Sequence, residues 1–164
     1  MAIRAVEPRD AVAVANIFLA ARAGMTYLPR LHSDDDTRAY IRHVVVQELE
    51  TWVCENEGRV VGFGALSGDM LEHLYVHPDA QGRGVGTDLL AHAKRLRPGG
   101  FRLWVFQKNE RARRFYERNG FFLAELTDGG DNEEREPDAL YEWSPSPQIV
   151  SREGWRTAPT QPVC

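Results

Sequence analysis

Residues 74–90, Leu74-Tyr75-Val76-His77-Pro78-Asp79-Ala80-Gln81-Gly82-Arg83-Gly84-Val85-Gly86-Thr87-Asp88-Leu89-Leu90, decide how the chain is read. Leu74 to Val76 make an apolar, β-prone run, and His77-Pro78-Asp79 makes a turn. Gln81 to Gly86 is glycine-rich and feeds an amphipathic run, so the predicted order is strand, glycine loop, helix. The first N–H groups of a helix have no intrahelical acceptor, and the helix dipole favours negative charge beside them. Glycines at alternate positions remove the Cβ atoms that hold a phosphate away from the backbone. Arg83 adds a mobile positive charge. The expected ligand carries a pyrophosphate.

Two other phosphate loops are excluded by spacing. A nucleotide P-loop ends in Gly-Lys-Ser/Thr, whereas this loop reads Gly86-Thr87-Asp88. Gly82, Gly84 and Gly86 do not match the dinucleotide pattern G-x-G-x-x-G, and no first Rossmann strand precedes it at the chain start. The pattern present is Q/R-x-x-G-x-G/A, at Gln81, Gly84 and Gly86. A second signature runs from Asn109 to Phe121, NERARRFYERNGF, with Ala112, Phe115, Tyr116 and Asn119 on one helical face. The first pattern resembles the coenzyme A pyrophosphate loop of the GNAT N-acetyltransferase superfamily. The second resembles that family's N-x-x-A-x-x-F-Y-x-x-x-G-F motif at every fixed position.

The resemblance covers about residues 2–143 and implies an α/β (α+β) GNAT fold. That fold is a mixed, mostly antiparallel seven-stranded sheet flanked by about four helices, in the order β-α-α-β-β-β-α-β-α-β-β. It implies acetyl-CoA as co-substrate, with no metal, and attack of a primary amine on the thioester through a tetrahedral oxyanion. Leu74, Tyr75 and Val76 would offer backbone to the oxyanion and pantetheine. Gln81, Gly82, Arg83, Gly84, Val85, Gly86 and Thr87 would hold the pyrophosphate, and Asn109 would contact the cofactor while capping its helix. Tyr116 would be the general acid. A cysteine-like thiol has a pKa of about 8.5 and a phenol one of about 10, so a phenol can protonate the leaving thiolate. Some members carry a glutamate base in the strand after the glycine-loop helix, where this chain has Trp104. Alternation in the preceding strand puts Met70, Glu72 and Leu74 on one face, with His73 opposite and structural or solvent-exposed. Family members place acidic or histidine bases at the first two of these positions, so the resemblance implies Glu72 as the candidate base, directly or through a water.

The remaining elements follow from periodicity. Residues 2–6 alternate as a first strand, and Asp10 is placed as N-cap of a helix whose face is Val14, Ile17, Phe18 and Ala21. Gly24 to His32 is an irregular loop expected to expose Met25, Tyr27 and Leu28 to substrate, with His32 and Trp52 as further substrate contacts. Ser33 and Asp36 approximate a capping box for a second helix carrying Tyr40, Ile41, Val44 and Val45. Strands are expected at 51–55 and 59–67, joined at Asn56-Glu57-Gly58, and at 70–76, 101–106, 121–125 and 140–143. The acidic segment Asp128 to Asp138 reads as a solvated hairpin connection, and Gly120 as the C′ residue of the Tyr116 helix.

A chain of 164 residues is expected to form one domain, here 1–143, with a real core. Four prolines mark 144–164 as a flexible or loosely docked tail, with Trp155 as a candidate anchor. The net charge of −4 argues against a general nucleic-acid surface. No apolar run approaches the roughly 20 residues that span a bilayer, and the N-terminus lacks a signal-peptide core. Only Cys54 and Cys164 are present, so the expected compartment is the reducing cytoplasm. The expected partner is a small-molecule or peptide amine, with no nucleic acid or membrane, and the chain is a monomer or homodimer. A non-catalytic acyl-CoA sensor, or a transferase for longer acyl groups, is the competing expectation.

Overall fold

The computed structural model describes residues 1–145. Of the proline-rich tail only Ser144 and Pro145 fall within it, and Trp155 and Cys164 lie outside the described residues. Seven strands and four α-helices follow the expected order. The chain divides into two compact units, Met1–Arg97 and Pro98 onward.

In the first unit, β1 (Ala2–Ala5), β2 (Glu50–Asn56), β3 (Arg59–Ser67) and β4 (Met70–Val76) pair antiparallel in that order. Helix α1 (Ala11–Ala23) covers one face, where Val14, Ile17, Val53, Phe63 and Ala65 are buried together. Helix α3 (Val85–Leu96) covers the other, and its buried residues Val85, Leu89, Leu90 and Ala93 form one stripe. Gly64 is required on that face. A Cβ there would lie 2.5 Å from the Trp52 ring, so glycine makes room for the indole.

Asp10 occupies the N-cap position of α1, as expected, but makes no side-chain capping bond there. It sits in helical backbone at the end of a 3₁₀ turn, Pro8–Asp10, and accepts from the Glu7 N–H at 2.8 Å. Its buried carboxylate pairs with Arg4 at 2.8 Å, and Arg4 also reaches Glu55 at 2.9 Å. That bridge holds the Asp10 carboxyl below its ordinary range and ties β1 and β2 to the start of α1.

Two backbone irregularities shape the α1 side. Helix α2 (Asp34–Tyr40) starts as expected, with the Asp36 N–H donating to Ser33 Oγ at 3.1 Å. From Ile41 to Val45 it continues as a π turn, marked by a bond from the Val46 N–H to the Ile41 carbonyl at 2.9 Å. On β4 the register slips: Ala65 faces His73 while the next residue, Leu66, faces Leu71. Glu72 is therefore the extra residue of a β-bulge.

The second unit holds β5 (Phe101–Phe106), α4 (Glu110–Arg118), β6 (Phe122–Leu126) and β7 (Asp138–Trp143), with β7 pairing antiparallel to both β5 and β6. Segment 128–138 is more than a solvated connection. Buried Asp138 accepts from Asn132 Nδ2 at 3.0 Å and from the Thr127 hydroxyl, and β7 starts there, two residues earlier than expected. Among the described residues no helix is long and apolar enough to cross a membrane.

Candidate active site

Strand β4 leaves through His77 into a short 3₁₀ turn, Pro78–Ala80. The His77 ring nitrogen Nδ1 accepts from the Asp79 N–H at 3.2 Å and fixes this exit. Gln81 follows, and its side-chain amide donates to the Val76 carbonyl at 3.2 Å, anchoring the loop to the end of the strand. Gly82 and Gly84 both lie in the left-handed region, with φ of 76° and 84°. A Cβ at either would meet no protein atom within 4 Å, so the glycines answer to backbone conformation and leave open space before the helix. Gly84 is the N-cap of α3 and supplies no side chain to it. The first-turn N–H groups, at Val85, Gly86 and Thr87, belong to the set that a helix cannot satisfy internally. Exposed Arg83 stands beside them. The loop has the form of an anion cradle, and the residues present fit a pyrophosphate.

On β4, half-buried Leu74, Tyr75 and Val76 pair with Gly64, Phe63 and Gly62 of β3. The bulge overturns the expected alternation of Met70, Glu72 and Leu74. Leu74 and Leu71 pair with Gly64 and Leu66, whereas Glu72 is displaced from the regular ladder. Glu72 is exposed, and partial desolvation by its neighbours raises its carboxyl above the ordinary pKa. That change suits a proton acceptor better than a fully hydrated carboxylate would.

His73 takes the structural place expected of it, packed among aromatic rings. Its ring is set among Phe18, Phe63 and Tyr75, with centroids 5.8, 6.2 and 6.0 Å away. Burial, with Arg22 nearby, lowers its pKa to about 4, so it is uncharged at neutral pH. Its Nε2 lies 3.0 Å from the hydroxyl of Tyr40. Burial, with the charge of Glu72, raises the Tyr40 pKa. Periodicity assigns Tyr40 to an apolar helix face and gives no sign of this cluster.

The expected substrate contacts are less exposed than the sequence suggests. Met25, Tyr27 and Leu28 are half-buried, and the Tyr27 hydroxyl is shut off from solvent. His32 is exposed. Trp52 is 2% exposed, donates to the Leu89 carbonyl at 3.3 Å and stacks near His92, so it belongs to the core beneath α3 rather than to a substrate surface.

In the second unit, Asn109 caps α4 by accepting from the Ala112 N–H at 3.2 Å. Gly120 follows the helix end with φ of 87°, and the Phe121 N–H reaches back to the Tyr116 carbonyl at 3.0 Å. Tyr116 is 8% exposed, and its ring contacts Phe115 and Phe121 edge to face. Arg114 pairs loosely with Glu110 at 3.8 Å, and both side chains are largely exposed. Sequence reasoning misses one network here: buried Tyr141 donates to Glu117 at 2.6 Å and accepts from Arg113 Nε at 3.1 Å. A tyrosine in a strand opposite a charged helix gives too little signal to pair them.

Residues 47–122 match the family description "Acetyltransferase (GNAT) domain". The chain is 31% identical over 86 residues to the peptidyl-lysine N-acetyltransferase YiaC of Escherichia coli, spanning 52% of this chain and 58% of that protein. It is 40% identical over 75 residues to the peptidyl-lysine N-acetyltransferase YjaB of the same organism, spanning 45% of this chain and 50% of that one. The chain thus spans about half the length of the curated relatives it matches. The solution structure of apo YjaB superposes with a TM-score of 0.71 at 26% identity, covering 87% of this chain and 96% of that one. A Salmonella typhimurium acetyltransferase structure, yncA, holding acetyl-CoA shares the fold, with a TM-score of 0.66 at 22% identity over 88% of this chain and 93% of that chain.

Proposed function

We propose that the chain, whose residues 47–122 match the GNAT acetyltransferase domain, transfers the acetyl group of acetyl-CoA to a primary amine, with a peptide lysine side chain as acceptor class. The observation that carries the reading is the cradle from Gln81 to Thr87. Two left-handed glycines open space before the first turn of α3, where a diphosphate would accept from backbone N–H groups. The acceptor class is supported by the peptidyl-lysine specificity named for both relatives.

The chemistry follows from the bonds exchanged. The amine nitrogen attacks the thioester carbonyl, the C–S bond breaks, and the amine proton must leave while the departing sulfur gains one. Glu72 receives the amine proton, directly or through a water, and its raised pKa strengthens it for that task. Tyr116 protonates the leaving sulfur, and the packed rings of Phe115 and Phe121 hold its phenol in one orientation. The backbone of Leu74 to Val76 serves the oxyanion and pantetheine, and Asn109 contacts the cofactor through the amide N–H₂ that its capping oxygen leaves available. The reading assumes a reducing cytoplasm, in which the buried Cys54 thiol stays free.

The test mixes the protein with acetyl-CoA and a panel of amines that includes lysine peptides, and follows free thiol. Acceptor-dependent thiol release supports the reading. Coenzyme binding without release from any acceptor would refute it in favour of a sensor.

A further inference from the structure

The helix that carries Tyr40 and the strand that carries Glu72 each abandon regular geometry one residue from the Tyr40–His73 contact. Tyr40 is the last residue of α2 before the π turn at Ile41–Val45. Glu72 is the extra residue of the β4 bulge. Each irregularity gives up regular backbone pairing, and both kinds recur where a side chain must be re-aimed at a functional site. Their joint effect is a cluster of three polar groups, Tyr40, Glu72 and His73, on the α1 side of the first unit.

His73 is the unusual member. One ring nitrogen faces Tyr40 at 3.0 Å, and the other is buried with no hydrogen-bond partner among the described residues. An orphaned buried nitrogen is costly, and an apolar side chain at this position would avoid it. What the histidine adds is a fixed neutral partner for the Tyr40 hydroxyl. Tyr40 itself is 40% exposed, so the residue that His73 holds from within is also open to solvent.

We propose that Tyr40 is an acceptor-binding residue, that its hydroxyl and the Glu72 carboxylate together receive the N–H groups of a primary amine, and that His73 is the positioning residue that aims the hydroxyl. The proposal rests on the acetyltransferase reading. A phenol oxygen that gives its own proton to His73 Nε2 keeps both lone pairs for an incoming N–H. A carboxylate beside it favours a cationic ammonium on approach and accepts its proton afterwards. This pairing selects primary amines over hydroxyl acceptors, because two converging acceptors need a group with at least two N–H donors.

The experiment uses the full chain, acetyl-CoA and a lysine peptide, with thiol release and coenzyme affinity measured separately. Tyr40→Phe removes one hydroxyl from an exposed ring. It should raise the acceptor KM about tenfold, the scale of a lost hydrogen bond to a charged group, while the coenzyme Kd stays unchanged. His73→Leu should raise the same KM, and the Tyr40→Phe/His73→Leu double variant should be no worse than Tyr40→Phe, because the histidine acts only through the hydroxyl. An acceptor KM for Tyr40→Phe within about twofold of wild type overturns the proposal, and this arm decides it even if His73→Leu does not fold. Additive effects in the double variant would remove the positioning role of His73. Wild-type protein that acetylates no amine would overturn the underlying reading, and the proposal with it.

Discussion

Gly84→Asp separates what the glycine loop does for the fold from what it does for the ligand. Gly84 is the N-cap of α3 with φ of 84°, and a Cβ there meets nothing within 4 Å. The folded state is therefore penalised only for a left-handed non-glycine residue, by about 1 kcal/mol. An aspartate beside a helix N-terminus recovers roughly 0.3–1 kcal/mol from the dipole. The net change is small, a shift in Tm of no more than about 4 °C for a chain of this size. A bound diphosphate would sense the variant differently. A carboxylate about 5 Å from a phosphate charge costs roughly 1 kcal/mol at the dielectric of water and about 3 kcal/mol at an effective constant of 20. That range corresponds to roughly fivefold to two-hundredfold weaker binding. Gly84→Asn supplies the control, since asparagine tolerates the same backbone and matches the shape without the charge. Calorimetric titration of coenzyme A into both variants at low salt isolates the electrostatic part. Equal Kd values for the Gly84→Asp and Gly84→Asn variants, near that of wild type, would place the phosphates somewhere other than this loop.

Other outcomes follow from the same structure. Tyr116→Phe keeps the edge-to-face packing on Phe115 and Phe121, so Tm should hold while turnover falls about 10²-fold with coenzyme affinity unchanged. Unchanged turnover in steady-state kinetics would remove the general-acid role. Glu72→Gln should abolish or displace the rising limb of the pH–rate profile, a limb shifted upward because desolvation raises the Glu72 pKa. An unmoved limb would assign the base elsewhere. His73 should make stability fall with acid: its folded pKa, about 4, lies below the ordinary 6.5, so only the unfolded chain gains this proton between those values. Up to about 3 kcal/mol of stability, complete above pH 6.5, is lost as pH falls to 4, and urea unfolding of His73→Gln should lack that component.

Much of the fold is legible because its elements obey simple periods. Alternation locates β2, β3 and β4, and the stripe Val85, Leu89, Leu90, Ala93 locates α3. Ser33, Asn109 and Gly120 mark helix ends because capping is a local matter of one side chain and its neighbours. Asp10 holds the N-cap position of α1 without a capping bond, because Arg4 and the Glu7 N–H engage its carboxylate. Glu72 is assigned its face by an alternation that the β4 bulge breaks, and a bulge leaves no mark in the period of a seven-residue strand. Trp52 reads as a substrate contact because nothing in its strand reveals that Gly64 leaves a slot for its ring. Tyr40 and His73, 33 residues apart, meet through tertiary packing alone.

The central claim is acyl transfer to an amine, and its most direct measurement is acetyl-CoA-dependent acetylation of a lysine peptide, read by mass spectrometry alongside free thiol. The account predicts one acetyl group on the lysine nitrogen for each thiol released, with the rate reduced in both Gly84→Asp and Tyr116→Phe. Thiol release without acetylated peptide, or tight coenzyme binding with neither product, would contradict it.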